Sequence, residues 1–209
     1  MFANLTGLNF GIFFVSLLLA VSIHEAMHGY AAHWLGDDTA HQAGRLTLNP
    51  LKHLDLVTSI IMPMLLWLLG LPPFFIAKPV PFNPWKVRYG EYGAAMIGLA
   101  GPLTNIVLAT VASLLLHILG IAVGTPIYNA FVIFMAVNVA IFVFNMIPFP
   151  PLDGSRLLYA FAPEPLQKLM MQIESLGMNA IFIFMMISFV FLSPFIIRAN
   201  ELILNLLLY

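Results

Sequence analysis

Long apolar runs separated by short polar interruptions set the pattern of the chain. Positions 8–35 hold a dense run from Phe10 to Ile23 that predicts a first membrane-spanning helix, stopped at Gly36-Asp37-Asp38. Positions 93–119 and 125–147 predict two more spans, and 177–192 a last one. Positions 54–71 are apolar but short, contain Pro63 and end in Gly70-Leu71-Pro72-Pro73, so a crossing and a shallow dip both remain open. Positions 44–50 alternate like a short strand before a Pro turn, which fits a β-hairpin or a plain connection equally. The stretch 77–84 is Pro-rich and extended, 155–174 is an amphipathic connector, and 195–209 is short for a crossing and is expected to lie in the interface or pack back on the bundle. The reading is an all-α polytopic membrane protein: one domain over 1–209, with about 4–6 transmembrane helices and a short β-hairpin or re-entrant segment.

Composition agrees with that reading. Of 209 residues 61% are hydrophobic and 8% charged, with a mean hydropathy of +0.98; a soluble domain would carry about a quarter charged residues. A net charge of −1 without a basic cluster excludes a nucleic-acid partner. With no cysteine, a metal would have to be held by His, Asp or Glu. The first apolar run has no positive flank of the signal-peptide kind and leads straight into a polar motif, so a retained helix is expected.

That motif is His24-Glu25-Ala26-Met27-His28. On a helix, residues four apart share a face, so both imidazoles can reach one ion while Glu25 flanks it as a general base, the H-E-x-x-H arrangement of zinc hydrolases. Ionisable groups inside a membrane segment are costly unless something binds them, which favours a metal over a chance match. The extension that marks soluble metzincins is absent, since Ala31 and Trp34 stand where Gly and His would be required.

A third ligand must come from elsewhere. Pro148, Pro150 and Pro151 stop the helix that precedes them, and irregular backbone at membrane depth is tolerated only against protein or a water-filled cavity. Asp153, on that turn and followed by Gly154, is the best candidate. Asn105, in an apolar helix opened by small residues, needs a hydrogen-bond partner, and Asn138 and Asn145 lie seven residues apart on one helix face. His33, His41, His53 and His117 are expected at the interface.

Charge distribution bears on the 54–71 stretch. If it dips, Arg45, Lys52, Lys78, Lys86, Arg88, Arg156 and Lys168 share one side and only Arg198 opposes them; if it crosses, the bias is weaker. The dip fits the positive-inside rule better.

Taken together, His24-Glu25-Ala26-Met27-His28, Gly101-Pro102-Leu103-Thr104-Asn105 and Asn145-x-x-Pro148-x-Pro150-Pro151-Leu152-Asp153-Gly154 resemble the site-2 protease family of intramembrane zinc metalloproteases. Positions 44–50 and 78–81 are similar to its compact prokaryotic members. The resemblance covers a catalytic core at about 8–156 and implies one Zn2+ per chain held by His24, His28 and Asp153, with Glu25 as base. It also implies that Asn105 and Asn145 position the substrate or a tetrahedral oxyanion. Expected partners are transmembrane-helix protein substrates within the lipid bilayer of a prokaryotic plasma membrane, with the site nearer the cytoplasmic side. No stretch is long or polar enough for the PDZ domain that many relatives carry, and Ser155 stands where a second Gly is frequent. The rival reading is a membrane metal-ion transporter, which commonly shows paired sites and internal repeats, whereas one compact constellation and no repeat are seen here.

Overall fold

The computed structural model describes residues 7–68 and 77–209. It is an all-α polytopic membrane protein, with three helices among the described residues long and apolar enough to cross a membrane: α1 (Gly7–Trp34), α4 (Gly90–Ile118) and α5 (Pro126–Asn145). Between α1 and α4 lie the short α2 (Thr39–Gln42) and α3 (Met62–Leu68), the latter continuing a π-helical stretch, Leu56–Ile61. After α5 come α6 (Gly154–Phe161), α7 (Glu164–Ser175), α8 (Met178–Ile187) and α9 (Ser193–Leu208), with a π-helical turn, Ser188–Leu192, joining the last two. α7 and α8 meet at a bend of 106° and make a fourth span if counted as one.

Local chemistry explains where the spans start and stop. α1 ends because Gly36 adopts a left-handed φ of 98°, and Asp37 N then donates back to Ala32 O, closing the helix end. α5 starts at Thr125, whose side chain accepts from Tyr128 N, with Pro126 in the first turn where its missing N–H costs nothing. It stops ahead of Pro148, as the sequence predicts.

Small residues let the spans approach closely. Ala20, Ala26 and Ala32 of α1 are buried, and Ala109 and Ala112 of α4 form one core with Met135 and Val139 of α5. Leu103, Val107, Val111, Leu114 and Ile118 make an exposed stripe down the opposite face of α4, as a lipid-facing surface requires. The tail packs back on the bundle: Ile203, Leu204 and Leu207 of α9 cover the α4–α5 core, and Ser113 Oγ donates to Leu207 O.

Two loop expectations bear on the site. Lys78 N donates to His53 O at 2.9 Å, so the two ends of the apolar excursion after His53 lie side by side, the arrangement expected of a dip. The Gly70-Leu71-Pro72-Pro73 end of that stretch lies outside the described residues. The short β-hairpin does not form: among the described residues there is no strand, and within 45–49 Thr47 N donates back to Arg45 O in a tight turn. The neighbouring segment has no donors to offer, because Pro79 and Pro81 lack N–H, Lys78 N is given to His53, and Val80 N is given to a side chain of α1. Arg88 N donates to Leu35 O, which ties the start of α4 to the end of α1 and makes the two antiparallel.

Candidate active site

His24 and His28 stand one turn apart on α1, and the turn after α5 brings Asp153 to them. Asp153 Oδ2 lies 3.1 Å from His24 Nε2 and 3.3 Å from His28 Nε2, and the two Nε2 atoms are 3.1 Å apart. Among the described residues these three form the one group of His and acidic side chains placed to share an ion.

Hydrogen bonds behind the imidazoles determine which nitrogens face inward. His28 Nδ1 donates to Ile97 O at 2.7 Å. His24 Nδ1 meets Asn105 Oδ1 at 2.6 Å. Asn105 is fully buried, and its Nδ2 donates to Asn138 Oδ1 at 2.9 Å and to Ala20 O at 3.3 Å, which leaves Oδ1 to accept from His24. Asn138 Nδ2 in turn donates to Phe134 O. Both histidines therefore carry their proton on Nδ1 and turn an Nε2 lone pair toward Asp153.

Three lone-pair-bearing atoms at 3.1–3.3 Å, with no proton among them, repel unless a cation lies between. Tetrahedral ligands about 2.0–2.1 Å from a zinc stand about 3.3–3.4 Å from one another, close to the spacing observed. Asp153 Oδ2 is buried and has no hydrogen-bond partner, as expected of an atom reserved for a metal. The donor set thus fits zinc.

Glycines make room for the cluster. A Cβ on Gly101 would fall 2.4 Å from His28 Nε2 and 2.7 Å from His24 Cε1, so no other residue lets α4 come this near. One on Gly154 would meet Met146 O at 2.5 Å, which would push Asp153 away from α1.

Glu25 is half-buried beside the cluster, and its Oε2 accepts from Val80 N at 3.0 Å. It shares with His24, His28 and Asp153 a cavity of about 670 Å³, whose walls include Phe13, Leu17, Phe144, Asn145, Phe184 and Met185. Asn145 lines this cavity; Asn105 stands behind His24 with both ends of its amide engaged.

Sequence reasoning noted Asn138 only for its spacing from Asn145 and did not find it as the partner of Asn105; two amides buried in apolar helices, each costly alone, were the available signal. Ile97 O and Val80 N are backbone atoms with no such signal. Of the remaining histidines, His33 is exposed and bonds Asp38, and His41 and His117 are exposed. His53 is buried, against expectation, because its Nε2 donates to Thr47 O beneath the loop.

The chain is 35% identical over 170 residues to a protein of Bacillus subtilis named "Putative zinc metalloprotease YwhC", covering 78% of this chain and 74% of that one. It is 28% identical over 137 residues to "Putative zinc metalloprotease Rip2" of Mycolicibacterium smegmatis, covering 66% of this chain and 52% of the relative. To the protein of the same name in Mycobacterium tuberculosis it is 26% identical over 144 residues, again spanning about half of that relative, 53%. No family model and no solved structure matches the chain.

Proposed function

This chain belongs to the zinc metalloprotease family of YwhC, and we propose that it is a site-2-protease-like intramembrane enzyme that hydrolyses peptide bonds within or near transmembrane helices. The observation that carries the reading is the convergence of His24, His28 and Asp153 on one point beside Glu25 in a bundle of membrane-spanning helices. The three ligands would hold one zinc. When bound, zinc supplies Lewis acidity that polarises a carbonyl oxygen and lowers the pKa of water to roughly 7.

The chain's own residues do the rest. Glu25 takes a proton from the attacking water on Oε1, the oxygen the Val80 amide leaves unengaged, and delivers it to the leaving amine. Asn105 keeps His24 in its ligating tautomer, while Asn145, which lines the cavity, meets the substrate in this reading. The apolar side of the cavity suits an unwound segment of a transmembrane helix, because a helical peptide bond is shielded by its own hydrogen bonding. Substrates are therefore transmembrane segments with Gly, Pro or Asn near the cleaved bond. The cluster of Lys52, Lys86 and Arg88 at the end of the bundle where α1 stops favours a cytoplasmic placement of that end, in a prokaryotic plasma membrane.

Glu25→Gln tests the assignment. It is expected to keep zinc at the wild-type stoichiometry and to lower cleavage of a transmembrane peptide by at least about a hundredfold. Cleavage at the wild-type rate removes Glu25 as base; zinc flux through vesicles altered by the same variant would turn the reading toward a carrier.

A further inference from the structure

Residues 78–83 run along the wall of the site as a strap, with Pro79, Val80 and Phe82 lining the cavity, and polar groups of buried side chains hold both of its ends. Upstream, Arg45, which is 8% exposed, donates from Nη2 to Lys78 O at 2.6 Å, while Lys78 N is bound to His53 O at 2.9 Å. Downstream, Asp37, with no exposure, accepts from Asn83 N at 2.5 Å. Between these clamps the backbone offers one donor over 79–81, since Pro79 and Pro81 have none, and that donor, Val80 N–H, goes to Glu25 Oε2. The Val80 side chain is buried against α1 at Gly29, where an added Cβ would meet Val80 Cγ1 at 3.1 Å and Leu46 Cδ2 at 2.7 Å.

We propose that Arg45 is a positioning residue for Glu25, acting through this strap: it fixes the Lys78 carbonyl, the flanking prolines transmit that placement rigidly, and the Val80 amide sets the carboxylate's orientation. The inference rests on the reading of Glu25 as the general base. The Glu25 side chain has three rotatable bonds and, among the described residues, no other hydrogen bond, so the strap decides which oxygen faces the reaction. Among the described residues the hydrogen bonds of Arg45 go to Lys78 O and Pro79 O and none goes to the three metal-binding side chains, so it acts on the base without acting on the metal.

The test compares wild type, Arg45→Ala and Arg45→Lys as purified full-length protein, with three readouts: zinc content, amide hydrogen exchange over 78–83, and cleavage of a quenched-fluorescent apolar peptide carrying a Gly-Pro break. The prolines make exchange unusually direct, because Val80 is the only amide between Lys78 and Phe82. Arg45→Ala is expected to retain zinc, to speed Val80 exchange by about tenfold or more, and to lower kcat about ten- to hundredfold with KM within about twofold. Arg45→Lys, which keeps one donor for the Lys78 carbonyl, should restore most of both.

Val80 exchange unchanged in Arg45→Ala, a rise in KM alone, or loss of zinc in step with activity each overturns the proposal. If Arg45→Ala does not fold, Arg45→Lys decides: kcat reduced while Val80 stays protected overturns it as well. Should wild type and Glu25→Gln be equally inert toward the peptide, the protease reading falls, and the exchange readout still decides whether Arg45 holds the strap against Glu25.

Discussion

A methyl group at position 101 would stand 2.4 Å from His28 Nε2, inside the space an ion needs. Gly101→Ala is therefore expected to abolish zinc binding while leaving α4 helical, read as metal content against far-ultraviolet circular dichroism; full zinc occupancy in the variant contradicts the site geometry. Asn105 acts at one remove. Replacing it with Ala strips His24 of its orienting acceptor and leaves Asn138 Oδ1 unpaired, so zinc affinity should fall about 10–100-fold and stability by about 1–3 kcal/mol. A chelator titration together with thermal unfolding checks both, and a change confined to KM would place Asn105 at the substrate instead. His24, Glu25, His28 and Asp153 were legible as residues because charge in an apolar run needs a reason. Gly101 was legible only as a small residue, since what a glycine leaves empty is visible only once its neighbours are in place.

At the scale of elements, the turn that ends α1 also anchors the strap. Burial alone would push the Asp37 carboxyl upward, but hydrogen bonds from Thr39 Oγ1, Asn83 N and Thr39 N, with Lys86 nearby, hold it below the usual Asp range. The folded protein thus keeps Asp37 ionised at pH values where the unfolded chain has protonated it. Its contribution is complete above the unfolded value, about 3.9, and is lost as pH falls through the lower folded value. Thermal unfolding across that acidic window should show a steeper loss for wild type than for Asp37→Asn, which starts less stable; parallel curves would remove the carboxylate from this role. The helices themselves were legible from their apolar runs and from Gly36, Thr125 and Pro148 as stop and start signals. The expected hairpin was not, because alternation at 44–50 says nothing of whether a partner has N–H groups left to pair.

For the whole molecule, the topology makes a sharp demand. Lys52 and Lys86 flank an excursion whose ends are hydrogen-bonded to each other through His53 and Lys78, so both face the same side. The chain has no cysteine, so single replacements Lys52→Cys and Lys86→Cys can be labelled with a membrane-impermeant maleimide. Both should react from one face of oriented vesicles, and reaction from opposite faces would show that the excursion crosses. The membrane class, the long apolar spans and the H-E-x-x-H pair were legible from the residues alone, because apolar run length and helical spacing are local properties. It took the folded bundle to bring Asp153 to the histidine pair, Asn105 to Asn138, and residues 78–83 back to Glu25. Those meetings join segments far apart in the chain, and they depend on how closely small residues let α1, α4 and α5 pack, a property of the assembled bundle that no local periodicity encodes.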